Sequence, residues 1–183
     1  MRTLLLIAVL ALATTTTARA TDYEQAPGSS LVFAGTYQGE VFSGHFPGFQ
    51  TTLRFDPTDL AATRLEVDIP LAGVTTGNPD YDGEVRGESF FNATRFMRAR
   101  YVAEGARQLE DGRYATDGVL DLRGVSHPVT LTFSWDDGET PTLAGRASVD
   151  RLGFGIGSGD WTDTSIIPAE IAVSTKVVLR PVR

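Results

Sequence analysis

Apolar and polar residues alternate with a period of two along most of the chain, the pattern of strands that bury one face. The clearest case is Gly118 to Phe133. Leu120 and Leu122 alternate with Val119 and Asp121, the run Arg123-Gly124-Val125-Ser126-His127-Pro128 interrupts, and Val129, Leu131 and Phe133 then alternate with Thr130 and Thr132. Gly124 suits a turn, and Pro128, which has no ladder donor, is expected at a strand start, so the stretch reads as a hairpin with one apolar face. Between Arg64 and Leu71, residues Leu65, Val67, Ile69 and Leu71 share a face opposite Arg64, Glu66 and Asp68. The same pattern predicts strands over Ser30 to Tyr37 and Glu40 to Phe46, joined by Gln38-Gly39, and over Thr51 to Asp56, Arg98 to Glu104, Thr142 to Val149 and Ala169 to Leu179. Turns are marked by Asp56-Pro57, Asp111-Gly112 and Asp137-Gly138. Only Pro79 to Glu88 and Asn92 to Phe96 suit a short helix. Eight or so antiparallel strands fit an up-and-down barrel or a sandwich, and closure into a barrel removes aggregation-prone edges.

The first 20 residues break the pattern. Arg2, the apolar run Leu4 to Ala13 and the small-residue site Ala18-Arg19-Ala20 read as a secretory signal peptide, with an apolar core shorter than the roughly 20 residues of a membrane span. The expected mature domain is Thr21 to Arg183. The whole chain has 16 Lys plus Arg against 23 Asp plus Glu. Removing Arg2 and Arg19 leaves 14 against 23, a net charge of −9, which disfavours nucleic acid as a partner. With no cysteine, the chain has neither a disulfide nor a thiolate metal site, and its single lysine, Lys176, stands in no phosphate-loop motif.

Few local patterns suggest chemistry. Asn78-Pro79-Asp80-Tyr81-Asp82-Gly83 begins like a calcium loop, but Ser89 stands where the bidentate carboxylate belongs. Gly153, Gly155, Gly157 and Gly159 lack dinucleotide spacing and read as a sharply bent segment. His45 and His127 fall in different turns with no third ligand at a recognisable spacing. No serine stands in a Gly-x-Ser-x-Gly elbow. No metal, cofactor or enzymatic activity is expected, and binding is the surviving class of function.

The ordered segments Thr75-Thr76-Gly77-Asn78, Asp82, Ser89-Phe90-Phe91-Asn92, Gly118 to Val129 and Asp150-Arg151-Leu152-Gly153-Phe154-Gly155 resemble the motifs of the YceI-like proteins, a likeness running from Ser30 to about Leu179. The resemblance implies an eight-stranded, lipocalin-like antiparallel barrel with one short helical segment. It also implies a long internal cavity for a polyisoprenoid chain and a periplasmic location. The chain departs from the common pattern at Tyr81, Glu84-Val85, Ser89, Asn92 and Met97, so head-group preference is where it is expected to differ.

Alternation alone favours a filled interior, since eight strands leave a space that side chains can nearly close; the resemblance reverses that order. The expected lining is Phe33, Leu53, Phe55, Val67, Ile69, Tyr101, Leu120, Leu122, Leu131, Phe133 and Ile171, with Phe46, Phe90, Phe91, Phe154 and Trp161 at the mouth. Arg86, Arg95 and Arg151 are the candidate donors to a head group, against the alternative of surface ion pairs with neighbours such as Glu88 and Asp150. The expected function is a periplasmic carrier of a long isoprenoid lipid of polyprenyl or quinone type. The rival reading is a cavity-free exported stress or interaction module that binds another protein through its acidic surface.

Overall fold

The computed structural model describes residues 20–182, so the signal-peptide reading falls outside the described residues except for Ala20. The strands are β1 (Thr21–Gln25), β2 (Ser30–Tyr37), β3 (Glu40–His45), β4 (Gln50–Phe55), β5 (Arg64–Pro70), β6 (Arg98–Glu104), β7 (Arg107–Gln108), β8 (Tyr114–Leu122), β9 (Val125–Asp136), β10 (Thr142–Asp150) and β11 (Glu170–Pro181), with one helix, α1 (Pro79–Arg86).

All pairings are antiparallel. β1 joins β4 on one side and β11 on the other, so β1-β4-β5-β6-β8-β9-β10-β11 closes on itself as an eight-stranded barrel. β2 and β3 extend the same wall. β2 pairs with β11 immediately beyond β1, and the β2–β3 register (Val32↔His45) continues into the β1–β4 register (Glu24↔Thr52) with a slip of one residue. β1–β2 and β3–β4 therefore form one long hairpin, opened in the middle between residues 26–30 and 47–50. This kink is invisible to periodicity, because Tyr23 is the only large apolar residue in β1 and nothing marks that segment as a strand.

Two hairpin tips have the tight geometry that matches strand twist. Gln38 and Gly39 have φ of 50° and 87°, and Arg123 and Gly124 have 54° and 77°, both residues left-handed as a type I′ turn requires. The second tip corrects the expected break from Arg123 to Pro128. The turn is only Arg123-Gly124, pairing resumes at once with Leu122↔Val125, and Pro128 sits inside β9 opposite Val119.

The registers define two ends. At one, β4 finishes and β8 begins, and Tyr23, Phe55, Tyr114, Phe133 and Trp135 meet with ring centroids 5.1–5.5 Å apart. These five rings, with Leu53 and Leu179 at 2% exposure each, plug the barrel. At the other end lie the tips at Gln38-Gly39 and Arg123-Gly124 and two long excursions, residues 71–97 and 151–169. The first contains α1, within the expected Pro79 to Glu88; Asn92 to Phe96 forms only turns. Asn78 caps the helix by accepting from the Asp80 N–H, and Pro79 at the first helical position gives up a donor that has no partner there anyway. The calcium-like loop is thus a helix start. Its Asp82 carboxylate accepts from Thr75 Oγ1, from Thr76 N–H and from Thr76 Oγ1, which holds its pKa at about 2, with the Arg86 charge adding to the effect.

Candidate binding cavity

The barrel is hollow above the aromatic plug. A cavity of about 190 Å³ is walled by β2–β6 and β8–β11 and reached by Val85, Phe90 and Phe91 from the first excursion and Ile156 and Ile167 from the second. Interior size at each level explains why one half is solid and the other open. Where the plug sits, inward positions are aromatic. Across the hollow, facing pairs place small residues beside larger ones: Gly145 lies opposite Thr175, Ala147 opposite Val173 and Ala99 opposite Ile69. Two more glycines serve close packing. A Cβ on Gly44 would lie 2.3 Å from the Phe33 ring, and one on Gly118 would lie 2.4 Å from the Tyr101 ring, so each ring lies flat on a strand instead of crossing the tube.

The cavity wall offers no polar surface to its interior, although polar residues contribute to it. Tyr101 donates its hydroxyl to the Val129 carbonyl at 3.0 Å, and Thr175 Oγ1 donates to Ser30 O at 2.9 Å. Burial, with the Asp117 charge second, pushes the Tyr101 phenol up to about 12, so it stays neutral across the physiological range. Thr51 Oγ1 is buried in the same wall without a hydrogen-bond partner.

Arg151 is 3% exposed and borders the cavity. Its guanidinium turns into the second excursion, donating from Nε to Pro168 O at 3.0 Å, from Nη1 to Ile156 O at 3.0 Å and from Nη2 to Ile167 O at 2.6 Å. Desolvation lowers its pKa and the Asp150 charge opposes that shift. Asp150 itself accepts from the Leu152 N–H, and the Arg151–Asp150 ion pair weighed as the alternative gives way to three backbone carbonyls. Gly157, at φ +80°, lies against this guanidinium, where a Cβ would approach Nη1 to 2.2 Å. The alternating glycines are therefore a loop folded around a buried arginine. Gly155, Gly157 and Gly159 all have positive φ, which a bent strand would not require.

Of the residues expected to line the interior, Phe33, Val67, Ile69, Tyr101, Leu120, Leu122, Leu131 and Ile171 border the cavity. Leu53, Phe55 and Phe133 do not, a correction with a simple cause: they face inward at the level of the plug, where neighbouring rings consume the space. At the mouth, Phe46, Phe90 and Phe91 border the cavity, whereas Trp161 stands behind Phe90 at 5.4 Å and Phe154 packs edge-on against His127 at 5.0 Å. His127 also approaches the Gly153 carbonyl at 3.0 Å. Arg86 is tied to the Val74 carbonyl at 2.8 Å and to Asp82 at 3.4 Å, and the exposed Arg95 lies over the Phe96 ring at 5.1 Å; neither borders the cavity. Sequence reasoning missed Gly145 and Ala147, whose strand was evident but whose small side chains do not look like a wall, and with them their neighbours Leu143, Val149 and Val173. Ile167 carried no periodic signal, and Ile156 stood among the alternating glycines that read only as a bend.

The model of the YceI-like domain matches residues 23–179. The chain belongs to the YceI-like family. A UPF0312 protein of Yersinia pestis (strain Pestoides F) is 35% identical over 88 residues, which are 48% of this chain and 45% of that relative, so the match spans less than half of the relative's length. Among solved structures, BcnA of Burkholderia cenocepacia superposes with a TM-score of 0.78 at 26% identity, covering 82% of this chain and 95% of its own. A polyisoprenoid-binding domain from Saccharophagus degradans superposes with a TM-score of 0.66 at 14% identity, covering 89% and 99%, a likeness of fold. The eight-stranded, lipocalin-like barrel expected of a YceI-like protein is the fold observed. The filled interior on which the rival reading rested is not.

Proposed function

We propose that this protein is a periplasmic carrier that holds the hydrocarbon tail of a long isoprenoid lipid, of polyprenyl or quinone type, inside the barrel. The single observation that carries this reading is a blind cavity of about 190 Å³ without polar surface, in a wall where Tyr101 and Thr175 turn their hydroxyl donors to backbone carbonyls. A void of this kind is costly. At about 24 cal/mol per Å³ it forfeits on the order of 5 kcal/mol, a large part of a domain's net stability. A ligand that fills it recovers that loss.

The chemistry of the wall selects the tail. Each buried methylene contributes about 0.8 kcal/mol, so ten chain carbons supply about 8 kcal/mol before association and ordering are offset. A chain longer than two isoprene units is needed for useful affinity. A charged head group finds no donor within the cavity and stays at the open end, near Phe46, Phe90 and Phe91. The leader-like Met1 to Ala20 and the polyisoprenoid-binding neighbour support the location and the ligand class.

Organic extraction of the purified mature protein followed by mass spectrometry tests the reading. An isoprenoid recovered in near-stoichiometric amount is expected. Repeated recovery of no lipid, or of a polar ligand only, would overturn it.

A further inference from the structure

The two ends of the barrel differ outside as well as inside. Among the described residues, the large apolar side chains exposed at the open end are Tyr37 and Val41 at the first hairpin tip, Tyr81 and Met97 on the first excursion, and Val125 beside the second tip; Val41 is 81% exposed and Met97 70%. Val119 is exposed on the outer face of β8, away from both ends; at the plugged end only Val182 is comparable among the described residues, and the turns there carry charges such as Asp59, Glu104 and Asp111.

The open rim is also one connected network. Gln38 N–H donates to Ile166 O, Gly157 and Ser158 N–H donate to Ser89 O, and Arg123 Nη2 donates to Glu88 O, which links the first tip, both excursions and the second tip. An aromatic path leads inward from it: Tyr37 lies 6.1 Å from Trp161, and Trp161 lies 5.4 Å from Phe90, which borders the cavity. Exposed apolar residues scattered singly need no explanation, but here they gather at the hollow end.

We propose that this rim is a docking surface for a lipid bilayer, seated with the cavity mouth facing the membrane and the aromatic plug facing water. Aromatic and aliphatic side chains of this kind partition into the bilayer interface. The charge around them specifies the lipid. Glu40, Asp80, Glu84, Glu88, Asp160 and Asp163 are exposed on the same rim; among its arginines, Arg98 is paired with Asp68, Arg86 with Asp82 and Arg123 with backbone carbonyls, which leaves the exposed Arg95 over the Phe96 ring. Such a rim is repelled by anionic lipid and suits a zwitterionic surface. The inference rests on the carrier reading, since it supplies the route by which a tail would leave a membrane for the cavity.

The chain's two tryptophans report on the two ends: Trp161 is at the rim and Trp135 in the plug. Trp135→Phe and Trp161→Phe proteins isolate each signal. With vesicles of brominated phosphatidylcholine, Trp161 fluorescence should be quenched and Trp135 fluorescence unchanged. Binding should fall as phosphatidylglycerol replaces phosphatidylcholine at low ionic strength and recover at high salt. Val41→Glu and Met97→Glu, both outside the cavity wall, should each weaken vesicle binding roughly tenfold by losing one buried apolar side chain, while the lipid extracted from the purified proteins stays the same.

Absence of quenching, equal quenching of both tryptophans, or tighter binding to anionic vesicles would overturn the proposal. So would dimerisation abolished by the same two substitutions in a protein that ignores vesicles, since the rim would then belong to a second copy. Docking can fail while lipid is still extracted, and lipid can be absent while docking persists, so this inference and the carrier reading are separable.

Discussion

Ala147 offers a direct test of the hollow. It lies on β10 opposite Val173, faces the cavity and is flanked by Gly145, so Ala147→Phe directs a ring into the open space. Burying a phenyl group is worth about 1.5–3 kcal/mol, and the strain of inserting it into a well-packed core is typically about 1–3 kcal/mol. Here much of the room already exists, so the lipid-free variant should be more stable than the lipid-free parent by about 1–2 kcal/mol, a rise of roughly 2–8 °C in Tm for a domain of this size. Lipid content should fall at least tenfold. The assay is paired: thermal unfolding of delipidated proteins, and mass spectrometry of extracts from proteins purified in parallel. A variant destabilised by about 2 kcal/mol or more that still carries a full complement of lipid would refute the reasoning, because the ring would then be overpacking a filled core and the ligand would sit elsewhere.

The plug should behave in the opposite sense. Phe55→Ala removes a ring touching Tyr114, Phe133 and Trp135 and should cost about 3–5 kcal/mol by chemical denaturation, leaving the cavity residues in place. Arg151→Met strands the carbonyls of Ile156, Ile167 and Pro168; at about 1–3 kcal/mol for each unsatisfied buried acceptor, a loss of about 3 kcal/mol or more is expected, with faster amide hydrogen exchange confined to residues 151–169. Asp82, whose folded pKa is depressed to about 2, contributes stability that is fully present above its unfolded value near 4 and lost as pH falls through 2. Asp82→Asn should therefore be less stable than the parent at neutral pH, with the difference shrinking between about pH 4 and pH 2; a constant gap in parallel thermal melts would contradict the assignment.

The strand alternation was legible because each wall residue must choose between water and the interior, and that choice writes a period of two. Leu120, Leu122 and Leu131 could thus be assigned inward from sequence. Alternation carries no information about depth, and for that reason Phe55 and Phe133 looked equivalent to Ile69. Small residues failed in the other direction, since Gly145 and Ala147 make the cavity by what they lack. Arg151 was singled out as a possible donor, but its carbonyl partners lie 5 to 17 residues away in a loop that forms no strand.

By itself the chain determined an antiparallel wall with an oily face, its tight turns and one short helix, because these depend on contacts between residues close in sequence. The closure through β1, the level at which five rings meet, and the space left beside Gly145 were decided only in three dimensions. They depend on which strands stand opposite one another, and volume inside a barrel is a property of all eight strands together.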